Sequence, residues 1–189
     1  EIERRRDSLV QRSVDYLKEF EEQGLANVEE LDLEGWDLHR AAKENRVDIT
    51  RALIARGDNV NAREKRIVPG WHSDLLLEGH THPRDDWTPI HEASYWNSLE
   101  VARLLIENGA EVNTRGHFYA PLHVAAFNNS HETAQLLIKN GAVVDALKMD
   151  HDDYIGLDPD DPLPSTPLHV AAAENSLAVA RLLIEHGAD

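Results

Sequence analysis

The sequence predicts an all-α solenoid of four stacked helix–turn–helix repeats, with projecting turns, two long inserts and an N-terminal helical cap. Three observations predict it. Histidines stand at His39, His91, His123 and His169. Six residues after each comes an asparagine (Asn45, Asn97, Asn129, Asn175), and eighteen after each a glycine (Gly57, Gly109, Gly141, Gly187). A fixed internal spacing that recurs four times marks a stacked array.

The N-terminal segment, 1–31, is not a repeat. Leu9, Val10, Val14, Tyr16, Leu17 and Phe20 fall at helical spacing with charge on the other face. This predicts an amphipathic helix of about fifteen residues, stopping near Gly24. With Leu25–Leu31 it is expected to cap the apolar flank of the first repeat.

The array occupies 33–189. The first repeat, about 35–62, is expected to form helices over about 37–44 and 47–55. Ala41 and Ala42 allow close packing, and Val47, Ile49, Leu53 and Ile54 supply its apolar stripe. The second repeat, about 87–113, predicts helices over about 90–96 and 99–107, with Asn97-Ser98 as cap of the second. Its expected core is Ile90, Ala93, Leu99, Val101, Ala102, Leu104, Leu105 and Ile106. The third and fourth repeats take about 120–145 and 165–189. The fourth stops just after its second helix without a polar cap, so further repeats are expected beyond 189 in the full protein.

The period stretches twice. His39 to His91 is 52 residues and His123 to His169 is 46, against 32 from His91 to His123. The inserts fall at about 63–84 and 147–164. The first holds His72, Asp74, His80 and His82, followed by Asp85 and Asp86. A His-x-His pair near carboxylates suits zinc, so metal binding or metal-dependent activity from 72–86 is one alternative; a surface loop is the expectation. The second insert is rich in aspartate. A calcium loop starting at Asp150 fails, because its fifth and sixth positions are Tyr154 and Ile155. No metal site and no cofactor is expected.

Composition limits the partner. The chain has 35 acidic and 19 basic side chains in 189 residues, a net charge of −16. Nucleic acid and anionic membranes demand a basic face, so both are disfavoured; a basic partner is favoured. With no cysteine, a disulfide framework and a thiolate metal site are excluded. No stretch approaches the ~20 apolar residues of a membrane span, and no signal peptide opens the chain. A monomeric domain in cytoplasm or nucleus is expected.

Three segments carry a family resemblance: Thr88-Pro-Ile-His-Glu-Ala93, Ala120-Pro-Leu-His-Val-Ala-Ala126 and Thr166-Pro-Leu-His-Val-Ala-Ala172. With the Leu-Leu-Ile-x-x-Gly-Ala ends at 104–110, 136–142 and 182–188, they resemble the ankyrin-repeat signature over roughly 33–189, inserts excepted. Asn97 and its counterparts stand where the family usually has glycine; asparagine is the next-best residue at positive φ. The resemblance implies a non-catalytic protein-interaction module that binds along a concave face and its turns. It also implies that the histidines are structural, bonded to turn backbone.

The same resemblance assigns the displayed positions. The residue before Thr-Pro and the two before the helix stop face the groove, and the residue after the histidine lies beside it. This displays Trp87, Glu92, Tyr95, Trp96 and Phe127, with His117, Phe118 and Tyr119 on the projecting turn. These eight are the candidate partner-binding residues, since aromatic side chains dominate interface hot spots. Trp87-Thr-Pro-Ile-His-Glu92 is similar to a repeat in ankyrin domains that read basic histone tails through the tryptophan and the acid. Those domains carry Asn where Tyr95 stands and Asp where Val124 stands. Asn113 is a second kind of candidate: Leu105, Glu111 and Val112 around it resemble the pattern of ankyrin asparagines hydroxylated by an asparaginyl hydroxylase. Otherwise it is a turn residue bonding its own backbone.

Overall fold

The computed structural model describes residues 31–64, 86–116, 119–147 and 166–189. The expected N-terminal helix, most of both inserts, His117 and Phe118 lie outside the described residues. The chain divides into two compact units, Glu1–Glu34 and Gly35–Asp189.

The second unit contains eight described helices: α1 (Leu38–Lys43), α2 (Val47–Arg56), α3 (Pro89–Tyr95), α4 (Leu99–Glu107), α5 (Pro121–Phe127), α6 (His131–Lys139), α7 (Pro167–Ala173) and α8 (Leu177–Glu185). The odd-numbered helices pack side by side in an inner row and the even-numbered in an outer row, each pair closing one repeat. Among the described residues there is no strand, only an antiparallel bridge between Glu64 and Trp87.

Local chemistry starts and stops each inner helix. Proline at the first position of α3, α5 and α7 presets φ and gives up an N–H that no helix start would satisfy. The signature histidine then reaches back. Nδ1 of His91, His123 and His169 accepts the backbone N–H of Thr88, Ala120 and Thr166 at 3.1, 3.3 and 3.4 Å. Histidine thereby fills the acceptor role that glutamate plays in a capping box. After each inner helix the chain reverses at Asn45, Asn97, Asn129 and Asn175, with φ of 52, 53, 52 and 56°. Asparagine tolerates this left-handed conformation at lower cost than other side chains with a Cβ.

Ser98 departs from its expected cap role. It begins α4 without a side-chain capping bond; its hydroxyl instead donates to Ala42 O in the preceding repeat at 2.7 Å. The core is close to expectation. Ile90, Ala93, Val101, Ala102, Leu104 and Leu105 are buried, as are Ala41, Ala42, Ile49 and Leu53. Val47, Ile54, Leu99 and Ile106 are half-buried at the edges of the stack.

Turn asparagines tie successive repeats. Asn61 Nδ2 donates to Gly109 O and its Oδ1 accepts from Glu111 N–H, both at 3.0 Å. Asn113 repeats this one repeat along, to Gly141 O and from Val143 N–H, each at 2.9 Å. At the third turn Asp145 keeps only the accepted bond, from Asp189 N–H at 3.2 Å, because a carboxylate has no N–H to donate. Asn113 therefore bonds the next repeat's backbone rather than its own, so its local turn role is corrected. Asn97 does similar work between helices. Its Oδ1 accepts from Thr133, and its Nδ2 donates to Glu132 at 2.6 Å, a bond that holds the Glu132 carboxyl below its ordinary pKa.

Candidate functional site

The inner row sets the site. Lys43, Tyr95, Phe127 and Ala173 are each the last residue of an inner helix, so stacking aligns them along one edge. The residues that follow, Glu44, Trp96, Asn128 and Glu174, make a second line.

Aromatic rings concentrate in the middle of this edge. Trp96 and Phe127 remain 42% and 48% exposed. Tyr95, half-buried between them, meets Trp96 edge-on at 5.0 Å between centroids and stacks on Phe127 at 6.2 Å. Edge-on and offset arrangements are the ones that ring quadrupoles favour. Trp96 is held from below, its indole N–H donating to Glu92 Oε2 at 3.0 Å. From the first repeat, Lys43 Nζ lies 5.7 Å from the Trp96 ring centroid, within the range of a cation–π contact.

Two of the residues expected at displayed positions are interior. Trp87 is 4% exposed. Its ring stacks on His91 at 5.8 Å and lies 5.9 Å from Tyr95. Gly116 closes over it: a Cβ at Gly116 would fall 2.6 Å from Trp87 Cδ1, so only glycine allows the turn to pass this close. Trp87 O also accepts from His39 Nε2 and from Glu64 N–H, both at 2.9 Å. Glu92 is 0% exposed, its carboxylate drawn inward to the Trp96 indole. Direct partner contact through Trp87 and Glu92, as in the histone-tail resemblance, is therefore corrected. Tyr95 packs against Trp87 and Trp96, where that resemblance calls for a smaller asparagine.

The projecting turn is anchored through His91. Thr88 N–H can only donate, so Nδ1 of His91 is unprotonated and Nε2 carries the hydrogen. That hydrogen goes to Tyr119 O at 3.0 Å, which also accepts from Gly116 N–H at 3.0 Å. Burial pushes His91 down to about 3, against the Tyr119 bond, which raises it; Arg63, His39 and His123 lower it further. Tyr119 itself is half-buried, 5.8 Å from the His123 ring. Arg63 adds a second anchor, donating to Arg115 O at 2.8 Å.

Among the described residues no group of three His, Cys, Asp or Glu could hold a metal ion. The His/Asp insert lies outside them except for Asp86. None of the helices described is long and apolar enough to cross a membrane.

Lys43 was not among the residues expected in the groove. The signal that finds it is the stacking register, which puts Lys43 at the helix position of Tyr95 and Phe127.

Comparison with known families agrees with this architecture. Models described as "Ankyrin repeat", "Ankyrin repeats (many copies)" and "Ankyrin repeats (3 copies)" match residues 38–65, 90–138 and 117–189. Together they cover most of the array. The chain belongs to the ankyrin-repeat family. Mouse Rabankyrin-5 is 37% identical over 78 residues, 41% of this chain, and the human protein matches equally. Protein phosphatase 1 regulatory subunit 12A of mouse is 28% identical over 80 residues, 42% of this chain. The matched segment spans about 6% of the length of these curated relatives. Ankyrin-repeat solenoids generally mediate protein–protein interaction through the extended surfaces that stacking creates.

Proposed function

We propose that this ankyrin-repeat chain is a non-catalytic interaction module binding an extended peptide or a protein surface along the inner-helix ends of its second and third repeats. The observation that carries this reading is the exposed pair Trp96 and Phe127, joined by Tyr95. Clustered exposed aromatics on a soluble surface are costly in solubility and are enriched at binding hot spots. Tyr119, and on sequence grounds His117 and Phe118, extend the surface onto the projecting turn. Trp87 and Glu92 support it from beneath as positioning residues. The net charge of −16 steers a basic partner towards the array.

The test compares proteins captured from a lysate of the native host by the wild-type chain and by Trp96→Ala/Phe127→Ala. Proteins bound by the wild type should be lost from the double variant, while its thermal melt stays nearly unchanged. Retention of the same proteins by a folded double variant would place binding elsewhere.

Hydroxylation of Asn113 is a second reading, favoured by the exposure of Asn113 at its turn. Its side chain would have to leave Gly141 O and Val143 N–H to enter an enzyme. Mass spectrometry of the protein from its native host should show one added oxygen on Asn113, and an unmodified residue removes the idea.

A further inference from the structure

The groove edge is not uniform. Its first position is a cation, Lys43, and the next two are aromatic, Tyr95 and Phe127. The adjacent charges in the first repeat cancel, since Arg40 Nε pairs with Glu44 Oε1 at 3.0 Å. None of the described carboxylates forms an ion pair with Lys43, and its ammonium rests against the half-exposed Trp96 ring. In a chain of net charge −16, a cation paired with none of the described carboxylates, beside an exposed aromatic platform, is a local reversal of sign.

We propose that this groove selects a peptide with a carboxylate side chain close to a large apolar one. The carboxylate meets Lys43 and the apolar side chain packs on Trp96, on the side facing Phe127, one helix along the row. Spacing follows from the helices. Packed helices lie ~8–10 Å apart and an extended chain advances ~3.3 Å per residue, so the two side chains stand about three residues apart. Salt screens charges beyond ~8–10 Å, so Lys43 acts on the group docked beside it while the acidic remainder of the array steers the partner as a whole. The partner segment is therefore basic overall, with one acid set near its apolar anchor. The inference rests on the groove reading above, and its test separates the two.

A random peptide library displayed on phage is selected on the whole 189-residue chain, with Trp96→Ala/Phe127→Ala as a parallel target. Enriched peptides should bind the wild type only, and should carry Asp or Glu about three positions from an aromatic or large aliphatic residue. For such a peptide, Lys43→Glu should weaken binding about fivefold and Lys43→Ala less, from the size of one exposed ion pair. Replacing the peptide's acid by lysine should restore binding to Lys43→Glu. Groove-dependent peptides that lack the acid, or bind Lys43→Glu equally well, overturn the charge inference alone. Peptides that bind the double variant equally, or no enrichment at all, overturn the groove reading and this inference with it.

Discussion

Urea unfolding of the His91→Ala variant should show a loss of about 3–5 kcal/mol relative to wild type, the sum of a large buried side chain removed and backbone groups left unpaired. His91 is fully buried, and its two nitrogens serve two different pieces of chain. Nδ1 accepts the Thr88 N–H at the start of α3, and Nε2–H holds Tyr119 O in the projecting turn. Alanine removes both bonds and opens a cavity beneath Trp87, whose ring stacks on the imidazole. Against a typical domain stability of ~5–15 kcal/mol, this is enough to unfold the central repeats at modest denaturant. A loss below about 1 kcal/mol would mean that the turn is held by other contacts, chiefly those of Arg63.

The second large effect is with pH. Burial lowers His91 to about 3 in the folded chain, against about 6.5 for an unperturbed histidine. The unfolded chain therefore takes up this proton first as pH falls. His91's contribution to stability is complete above about pH 6.5 and is lost progressively towards pH 3, at about 1.4 kcal/mol per pH unit. Other groups titrate over the same range, so the measurement is a difference. Stability against pH should be steeper in wild type than in His91→Gln by about that slope between pH 6 and 4. Equal slopes would show that the imidazole takes up its proton within the fold.

Much of the fold was legible because its rules act within a few residues. Thr-Pro-x-His puts a proline at the helix start and an acceptor three residues after the cap. Asparagine six residues beyond the histidine supplies positive φ. These features belong to one repeat and recur in register, so the second repeat's helices, Pro89–Tyr95 and Leu99–Glu107, lie within a residue of the expected bounds. The buried stripe Val101, Ala102, Leu104 and Leu105 is likewise visible in helical periodicity.

The site was only partly legible, because exposure at an inner-helix end depends on the neighbouring repeats. Trp96 and Phe127 are exposed as expected, since their neighbours along the edge, Glu44, Asn128 and Ala173, do not cover them. Trp87 occupies an equally displayed sequence position, yet the turn carrying Gly116 folds over its ring. Glu92 lies beside the groove by pattern and is buried in fact, its carboxyl oxygen accepting from the Trp96 indole four residues on.

By itself, the sequence determined four repeats, where their helices begin and stop, and which residues form the core stripe. Capping, φ preference and periodicity are properties of contiguous chain. Only the tertiary structure decided that Trp87 and Glu92 lie inside, that Asn61 and Asn113 bond the following repeat, and that Lys43 stands beside Trp96. The contacts of Trp87, Asn61, Asn113 and Lys43 join residues 28 to 53 positions apart across the stack, and those of Asn61 and Lys43 span the first insert, whose length the repeat rule does not fix.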